Sequence, residues 1–182
     1  WASINYNNIG GIYHSKGSLL CRQCNCTNDE GNYDKALDYF FKSLEIKERI
    51  SNKKDLGISY GCIGIILYER AEYKKAMEYY LKELNISEEL GDKIGMSNSC
   101  NHIGALYFMQ KNIIEAKRYL LKSLKISKEI NEKYTLMYSY FSLSECEMKV
   151  GNWEGAYEYH QLYSQMKDSI FNEESQKQIT EM

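Results

Sequence analysis

Residues 63–90, IGIILYERAEYKKAMEYYLKELNISEEL, decide the fold of this chain, because their pattern recurs four times along it. Two landmarks define the repeat, a small residue inside one helix and an alanine early in the next. In the last three copies the alanine follows by 12 positions, and equivalent landmarks are 40 positions apart. A fixed period of this size is the signature of stacked structural repeats. The small residues are Gly10, Gly64, Gly104 and Ser144, and the alanines are Ala36, Ala76, Ala116 and Ala156.

Apolar residues recur around both landmarks at steps of three and four positions, as on one face of an α-helix. Examples are Ile63 before Gly64 and Leu84 after Ala76. The small landmark allows two helices to approach closely, since a larger side chain there would collide with the neighbouring helix. The pattern therefore predicts an all-α, right-handed α-solenoid of four antiparallel helix pairs, with no β-sheet.

The segments IGGIY with ALDYF, IGIIL with AMEYY, and IGALY with AKRYL resemble the tetratricopeptide repeat (TPR) family. The family pattern is W-x2-L-G-x2-Y followed by A-x3-F, with a common period of 34 residues. This chain differs in its period of 40 and in having no proline. Both differences fit the longer-helix branch of the family, found in bacterial signalling proteins and animal polarity adaptors. The resemblance implies a protein-interaction scaffold within a bacterial signalling or adaptor protein.

The landmarks divide the chain into a repeat array at residues 1–166 and a tail at 167–182. Repeats are expected at about residues 1–50, 51–90, 91–130 and 131–166. Gly91 and Asn131 follow two of the expected helices, where a left-handed residue ends a helix well. The tail is polar and compatible with helix, so it either caps the last repeat or begins a linker. Helices are expected at about 2–16, 33–50, 55–70, 73–90, 93–110, 113–130 and 133–149, with another from 153 onward.

The first repeat contains an insertion. Gly10 and Ala36 are 26 positions apart, 14 more than in the other copies, and removal of residues 18–31, SLLCRQCNCTNDEG, restores an ordinary repeat. Long insertions in surface turns cost little, because the entropy of loop closure grows slowly with length. We therefore expect an exposed, mobile loop whose deletion leaves the fold intact.

Three cysteines within the insertion, Cys21, Cys24 and Cys26, leave several alternatives open. With His14 they form a Cys3His set, which zinc accepts. The C-x2-C-x-C spacing is nevertheless a poor match to zinc sites, and a disulfide from Cys21 or three free thiols fit the sequence better. No metal and no cofactor are therefore predicted. The alternative function is a scaffold that presents this loop, either natural or grafted.

Charge and motifs exclude several classes of function. A formal net charge of −2 gives no basic surface for nucleic acid, and no apolar run reaches the ~18 residues of a membrane span. The chain has no phosphate loop, nucleophile elbow, zinc-protease helix or dinucleotide fingerprint, so we expect no enzyme. We expect a cytoplasmic protein, with a domain trimmed from a membrane-anchored signalling protein as the alternative. The predicted partner is a protein or peptide, and weak self-association is a further expectation.

The TPR resemblance implies that the first helix of each pair lines a concave groove. Amide and imidazole groups there can bond a peptide backbone, and aromatic rings can hold its side chains. The alternative is that the rings pack between repeats and the amides are solvated. No lysine or arginine occupies the positions of the family's carboxylate clamp, so that mode of capture is not expected. The candidate groove residues are Asn7, Asn8, His14, Tyr68, Asn101, His102, Phe108 and Phe141.

Overall fold

A computed structural model describes residues 30–49 and 52–181, together with Asn8. This part of the chain contains seven helices and no strand, so the predicted all-α class is confirmed. The predicted first helix, at residues 2–16, lies outside the described residues apart from Asn8. The helices are α1 Glu30–Arg49, α2 Lys53–Glu69, α3 Tyr73–Leu90, α4 Lys93–Met109, α5 Ile113–Ile130, α6 Lys133–Lys149 and α7 Trp153–Glu181.

The first described helix begins earlier than predicted. Helix α1 starts at Glu30, whereas the sequence pattern placed its start at Tyr33. The last two residues of the predicted insertion therefore belong to α1, and residues 18–29 lie outside the described part of the chain.

The turns inside the helix pairs have a common geometry. Ala71 after α2, Lys111 after α4 and Gly151 after α6 all have a positive φ, of 58°, 63° and 77°. The next residue in each turn donates its backbone N–H back into the preceding helix, as Glu72 does to the carbonyl of Leu67 at 2.8 Å. Left-handed residues of this kind satisfy the last carbonyl groups of a helix.

The turns between pairs also follow the sequence prediction. Gly91 has a φ of 65° and Asn131 a φ of 52°. Asp92 then caps α4, because its carboxylate accepts hydrogen bonds from the backbone N–H groups of Ile94 and Gly95 at 3.1 and 3.2 Å. The positive φ values confirm the sequence-based expectation at Gly91 and Asn131.

Ala71→Gly should stabilise the protein by about 0.5–1 kcal/mol, because the left-handed conformation strains a residue that has a Cβ and suits glycine. Gly91→Ala is the reverse change at a φ of 65° with no atom within 4 Å of the added Cβ, so only backbone strain is introduced. We expect it to destabilise by about 1 kcal/mol. Urea unfolding of both variants checks the pair, and a destabilised Ala71→Gly protein contradicts the prediction.

The chain divides into two compact units, residues 1–90 and 91–182. In the first unit, α2 and α3 are antiparallel, since the glycines of α2 meet α3 residues of falling number. Gly57 faces Ile86, and Gly64 faces Tyr80. A Cβ built on Gly64 would lie 2.5 Å from Cε1 of Tyr80, so the side chain of Tyr80 fills the space that the glycine leaves.

The second unit has its core between α5 and α6. Gly104 of α4 is again the point of close approach, because a Cβ built there would lie 2.7 Å from Cγ of Leu120. The predicted small landmarks Gly64 and Gly104 are thus sites of helix contact, one in each unit, whereas Gly10 lies outside the described residues. The core cluster of α5 and α6 consists of Ala116, Leu120, Leu124, Leu136, Tyr140, Leu143 and Cys146.

Helix α7 is one continuous helix of 29 residues, and it includes residues 167–181 of the predicted tail. Two ion pairs illustrate the extension. Lys93, at the start of α4, pairs with Glu129 near the end of α5 at 3.1 Å. Its equivalent forty positions later, Lys133, pairs with Glu173, which lies one helical turn beyond the residue equivalent to Glu129. The tail therefore lies beside the start of α6. The predicted repeat boundaries, including the one at residue 166, stay a prediction.

Candidate functional site

The predicted site residues near the N-terminus are only partly covered by the structure. Asn7 and His14 lie outside the described residues, as do Cys21, Cys24 and Cys26 of the predicted loop. Asn8 is helical and exposed to solvent. The remaining candidate residues lie on the first helices of later pairs, α2 in the first unit and α4 and α6 in the second.

The thiols of those helices are structural. Cys62 is half-buried, whereas Cys100 and Cys146 are buried, and all three carry thiols that are not in disulfides. Burial raises the pKa of the Cys62 and Cys146 thiols to about 11, so both are protonated at neutral pH and are poor nucleophiles. Within residues 30–49 and 52–181, no group of three or more His, Cys, Asp or Glu side chains could hold a metal ion.

Asn101 is buried and bonded within the second unit. Its Nδ2 donates to Oγ of Ser139 at 2.9 Å, and that hydroxyl lies 3.1 Å from Oγ of Ser123. One turn earlier on α4, Asn98 accepts a hydrogen bond from Oγ1 of Thr135 at 2.6 Å. Residue numbers rise together on both helices, so α4 and α6 are parallel. Asn101 thus holds α6 against α4, and its amide does not face solvent.

The aromatic candidates Phe108 and Tyr68 are also committed in part to packing. Phe108 is half-buried and packs against the core cluster of α5 and α6. Tyr68 is half-buried, with its ring 5.6 Å from the ring of Tyr73. Burial, with a smaller contribution from Tyr73, raises the pKa of Tyr68. Tyr68 thus packs within its own repeat and Phe108 against the core cluster, and the role of both residues in a groove stays a prediction.

His102 presents a neutral imidazole at physiological pH. The residue is half-buried and its Nδ1 is shielded from solvent. Burial lowers the pKa of His102 to about 4, because the charged ring loses its hydration. The surrounding surface of α4 therefore gains no positive charge from this residue.

The stability of the protein should fall between about pH 6.5 and pH 4 because of His102. Between these pH values His102 binds a proton in the unfolded chain but not in the folded protein, so the free energy of unfolding decreases as the pH falls. After a discount for partial exposure, we expect about 2 kcal/mol of the loss to come from this residue. Urea unfolding of wild type and His102→Asn at pH 7 and 4.5 measures the difference. The exposed residue His160 provides the control variant His160→Asn, and equal losses in wild type and His102→Asn contradict the prediction.

Among the candidates on α2, α4 and α6, Phe141 is the one that is exposed to solvent. Its ring is 42% exposed and lies 5.3 Å from the ring of Tyr163 on α7. It belongs to one face of α6, because its neighbours on that face follow at steps of three and four residues. This face, which we call the α6 stripe, consists of Tyr134, Tyr138, Phe141, Glu145 and Met148.

Four members of the α6 stripe are large and apolar or aromatic, and all are exposed. Tyr134 is 49%, Tyr138 56% and Met148 41% exposed. Tyr134 and Tyr138 were not among the predicted site residues, although their spacing from Phe141 signalled the shared face. Contiguous exposed apolar surface of this kind marks protein-interaction sites.

A second surface feature lies in the first unit. An open pocket of about 600 Å³ is formed by α3 and the ring of Tyr60. The ammonium group of Lys82 lies over the rings of Tyr79 and Tyr60, at 4.9 and 5.6 Å from their centres. These cation–π contacts engage the ammonium group of Lys82, one of the residues that line the pocket, within the protein itself.

Comparisons with known proteins agree with the helical repeat. Residues 15–89 and residues 97–133 each match a model of the tetratricopeptide repeat. No curated protein has a sequence significantly similar to this chain. Among the described residues, no helix has the length and apolar character needed to cross a membrane.

Several solved structures share the fold at low sequence identity. BtubC (BKLC) from P. vanneervenii is 17% identical over 88% of this chain and 64% of its own, with a TM-score of 0.67. The apo form of RapI is 20% identical over 96% of this chain and 59% of its own, with a TM-score of 0.78. Aspartyl phosphate phosphatase F from Bacillus subtilis is 18% identical over 92% of this chain and 40% of its own, with a TM-score of 0.76. The chain thus spans less than two thirds of each.

Proposed function

The chain belongs to the tetratricopeptide repeat family, and from that premise we propose that it is a protein-interaction scaffold. Its partner, a protein or peptide, binds to the first helices of the helix pairs, with the α6 stripe as the main contact in the second unit. Members of this family generally act without catalysis, and we propose no enzymatic activity for this chain. A narrower proposal is a role within a bacterial signalling or adaptor protein, in keeping with a structural relative from Bacillus subtilis.

The observation that carries the proposal is the exposure of the α6 stripe. Replacing Phe141 or Tyr138 by a polar residue would cost the folded protein little stability, since neither residue is buried in the core. Exposed rings of this size instead supply binding energy when a partner removes them from water, and aromatic residues are enriched among the residues that dominate interface energetics. Binding through this face leaves the core cluster of α5 and α6 unchanged.

Capture of the partner on the immobilised chain tests the proposal. We expect Phe141→Asp and Tyr138→Asp each to reduce the captured partner at least tenfold, because a desolvated carboxylate opposes apolar contact. Tyr157→Asp on α7, where the ring is 65% exposed, is the matched control and should retain the partner. Circular dichroism and thermal melts must show that all variants fold. A partner retained equally by all three variants refutes the proposed surface.

A further inference from the structure

The α6 stripe repeats a face of α4 that another helix covers. That face of α4 consists of Ile94, Asn98, Asn101, Ala105 and Phe108, each forty positions before its equivalent on α6. On α4 the two amides bond to Thr135 and Ser139 of α6, and Phe108 packs against the core cluster. On α6 the equivalents Tyr138, Phe141 and Met148 are 56%, 42% and 41% exposed. At Asn98, Asn101 and Phe108 the face is therefore covered on α4 and open at the equivalent positions of α6, whereas Ile94 is itself 55% exposed on α4.

We infer that the α6 stripe binds an amphipathic α-helix of the partner, an inference that rests on the proposed function. The bound helix lies parallel to α6, in the place that α6 takes over α4. The α4–α6 contact is the physical basis, because it shows that a helix fits against this face at close range and that side chains four residues apart, Thr135 and Ser139, meet it.

A helix suits this surface better than an extended peptide. The backbone groups of α6 are bonded within the helix, so they offer nothing to the backbone of a bound peptide. The stripe also holds no amide side chain, and the hydroxyl of Tyr134 already donates to Glu174 at 2.6 Å. A helix satisfies its own backbone hydrogen bonds and needs only side-chain contact, as in other helix-in-groove complexes.

The size and charge of the stripe define the chemistry of the bound helix. The rings of Tyr138 and Phe141 are larger than the amides at the equivalent positions of α4. The side chains opposite them must therefore be small and apolar, at a spacing of four residues, for the helices to approach as closely. Glu145 is half-buried in the middle of the stripe, and its carboxylate favours a lysine or arginine on the bound helix.

A peptide with the sequence of α6 itself, changed at two positions, is the probe for this inference. It spans residues 133–149 with Thr135→Ala and Ser139→Ala, so that small apolar side chains replace the two hydroxyls that meet α4. A second peptide also carries Met137→Pro, which prevents a continuous helix. Fluorescence anisotropy under reducing conditions measures the binding of each labelled peptide to the full chain. We expect saturable binding of the first peptide and at least tenfold weaker binding of the second.

Variants of the full chain test whether the peptide binds to the α6 stripe. Tyr138→Asp should weaken binding of the first peptide at least tenfold, and Tyr157→Asp should change it less than twofold. No saturable binding, or equal binding of the proline peptide, overturns the inference. The inference is also overturned if light scattering shows a dimer that dissociates in the Tyr138→Asp variant, because a second copy of the chain then occupies the stripe. If partner capture depends on Phe141 while the helical peptide fails to bind, the helix inference fails and the proposed function stands.

Discussion

Gly64→Leu should destabilise the protein by about 3 kcal/mol, at the upper end of the usual cost of overpacking a core. The Cβ alone would lie 2.5 Å from Cε1 and 2.7 Å from Cδ1 of Tyr80, and these are ring atoms of a side chain that is 2% exposed. The ring cannot move outward without displacing its neighbours on α2 and α3. Urea unfolding monitored by circular dichroism measures the loss.

Alanine substitutions in the same helix separate overpacking from helix propensity. Gly64→Ala should still destabilise, by about 1 kcal/mol, because the clash with Tyr80 exceeds the gain in helix propensity. Gly57→Ala is the control, since its Cβ would lie 3.4 Å from Cγ2 of Ile86, close to ordinary contact. We expect it to stabilise by up to about 1 kcal/mol. Equal effects at both positions would falsify the assignment of Gly64 as a site of close helix contact.

Leu120→Ala should destabilise the protein by about 3 kcal/mol, because it removes a fully buried side chain and leaves a cavity at the centre of the core cluster. The neighbouring residue provides the control. Leu121 is 44% exposed, so Leu121→Ala should cost less than about 1 kcal/mol. The ratio of the two losses in urea unfolding checks the assignment of the core.

The contact between Leu120 and Gly104 predicts coupling between these positions. A Cβ on Gly104 would lie 2.7 Å from Cγ of Leu120, an atom that Leu120→Ala removes. Gly104→Ala should therefore cost less in the Leu120→Ala background than in wild type, by about 1 kcal/mol in a double-mutant cycle. Additive losses would mean that the two residues do not meet in the folded protein.

Helix bounds and turns were predictable from sequence because their causes are local. Helix α5 begins at Ile113 and ends at Ile130, as its pattern of apolar residues predicts, and Asn131 ends it with a left-handed residue. The start of α1 was predicted less well, since the insertion interrupts the period on which the prediction depended. The loop expected at residues 18–31 stays a prediction, except that its last two residues are helical.

The candidate site was less predictable than the fold. Phe141 and Asn101 occupy equivalent positions forty residues apart, and the sequence assigned both to a binding surface. The structure buries Asn101 against Ser139 and leaves Phe141 exposed. Tyr138 was not among the predicted site residues, although its spacing of three from Phe141 places both on one helix face.

The sequence by itself determined the helices, their pairing and the points of closest contact. These follow from periodicity, capping residues and small side chains, all of which act between neighbours along the chain or across a short turn. Only the tertiary structure decided which face of each first helix is covered. That depends on whether another helix packs there, and at one position of the repeat Asn101 is buried on α4 whereas Phe141 is exposed on α6. Burial is a property of the surroundings, so the same position is a packing contact in one repeat and a binding surface in the next.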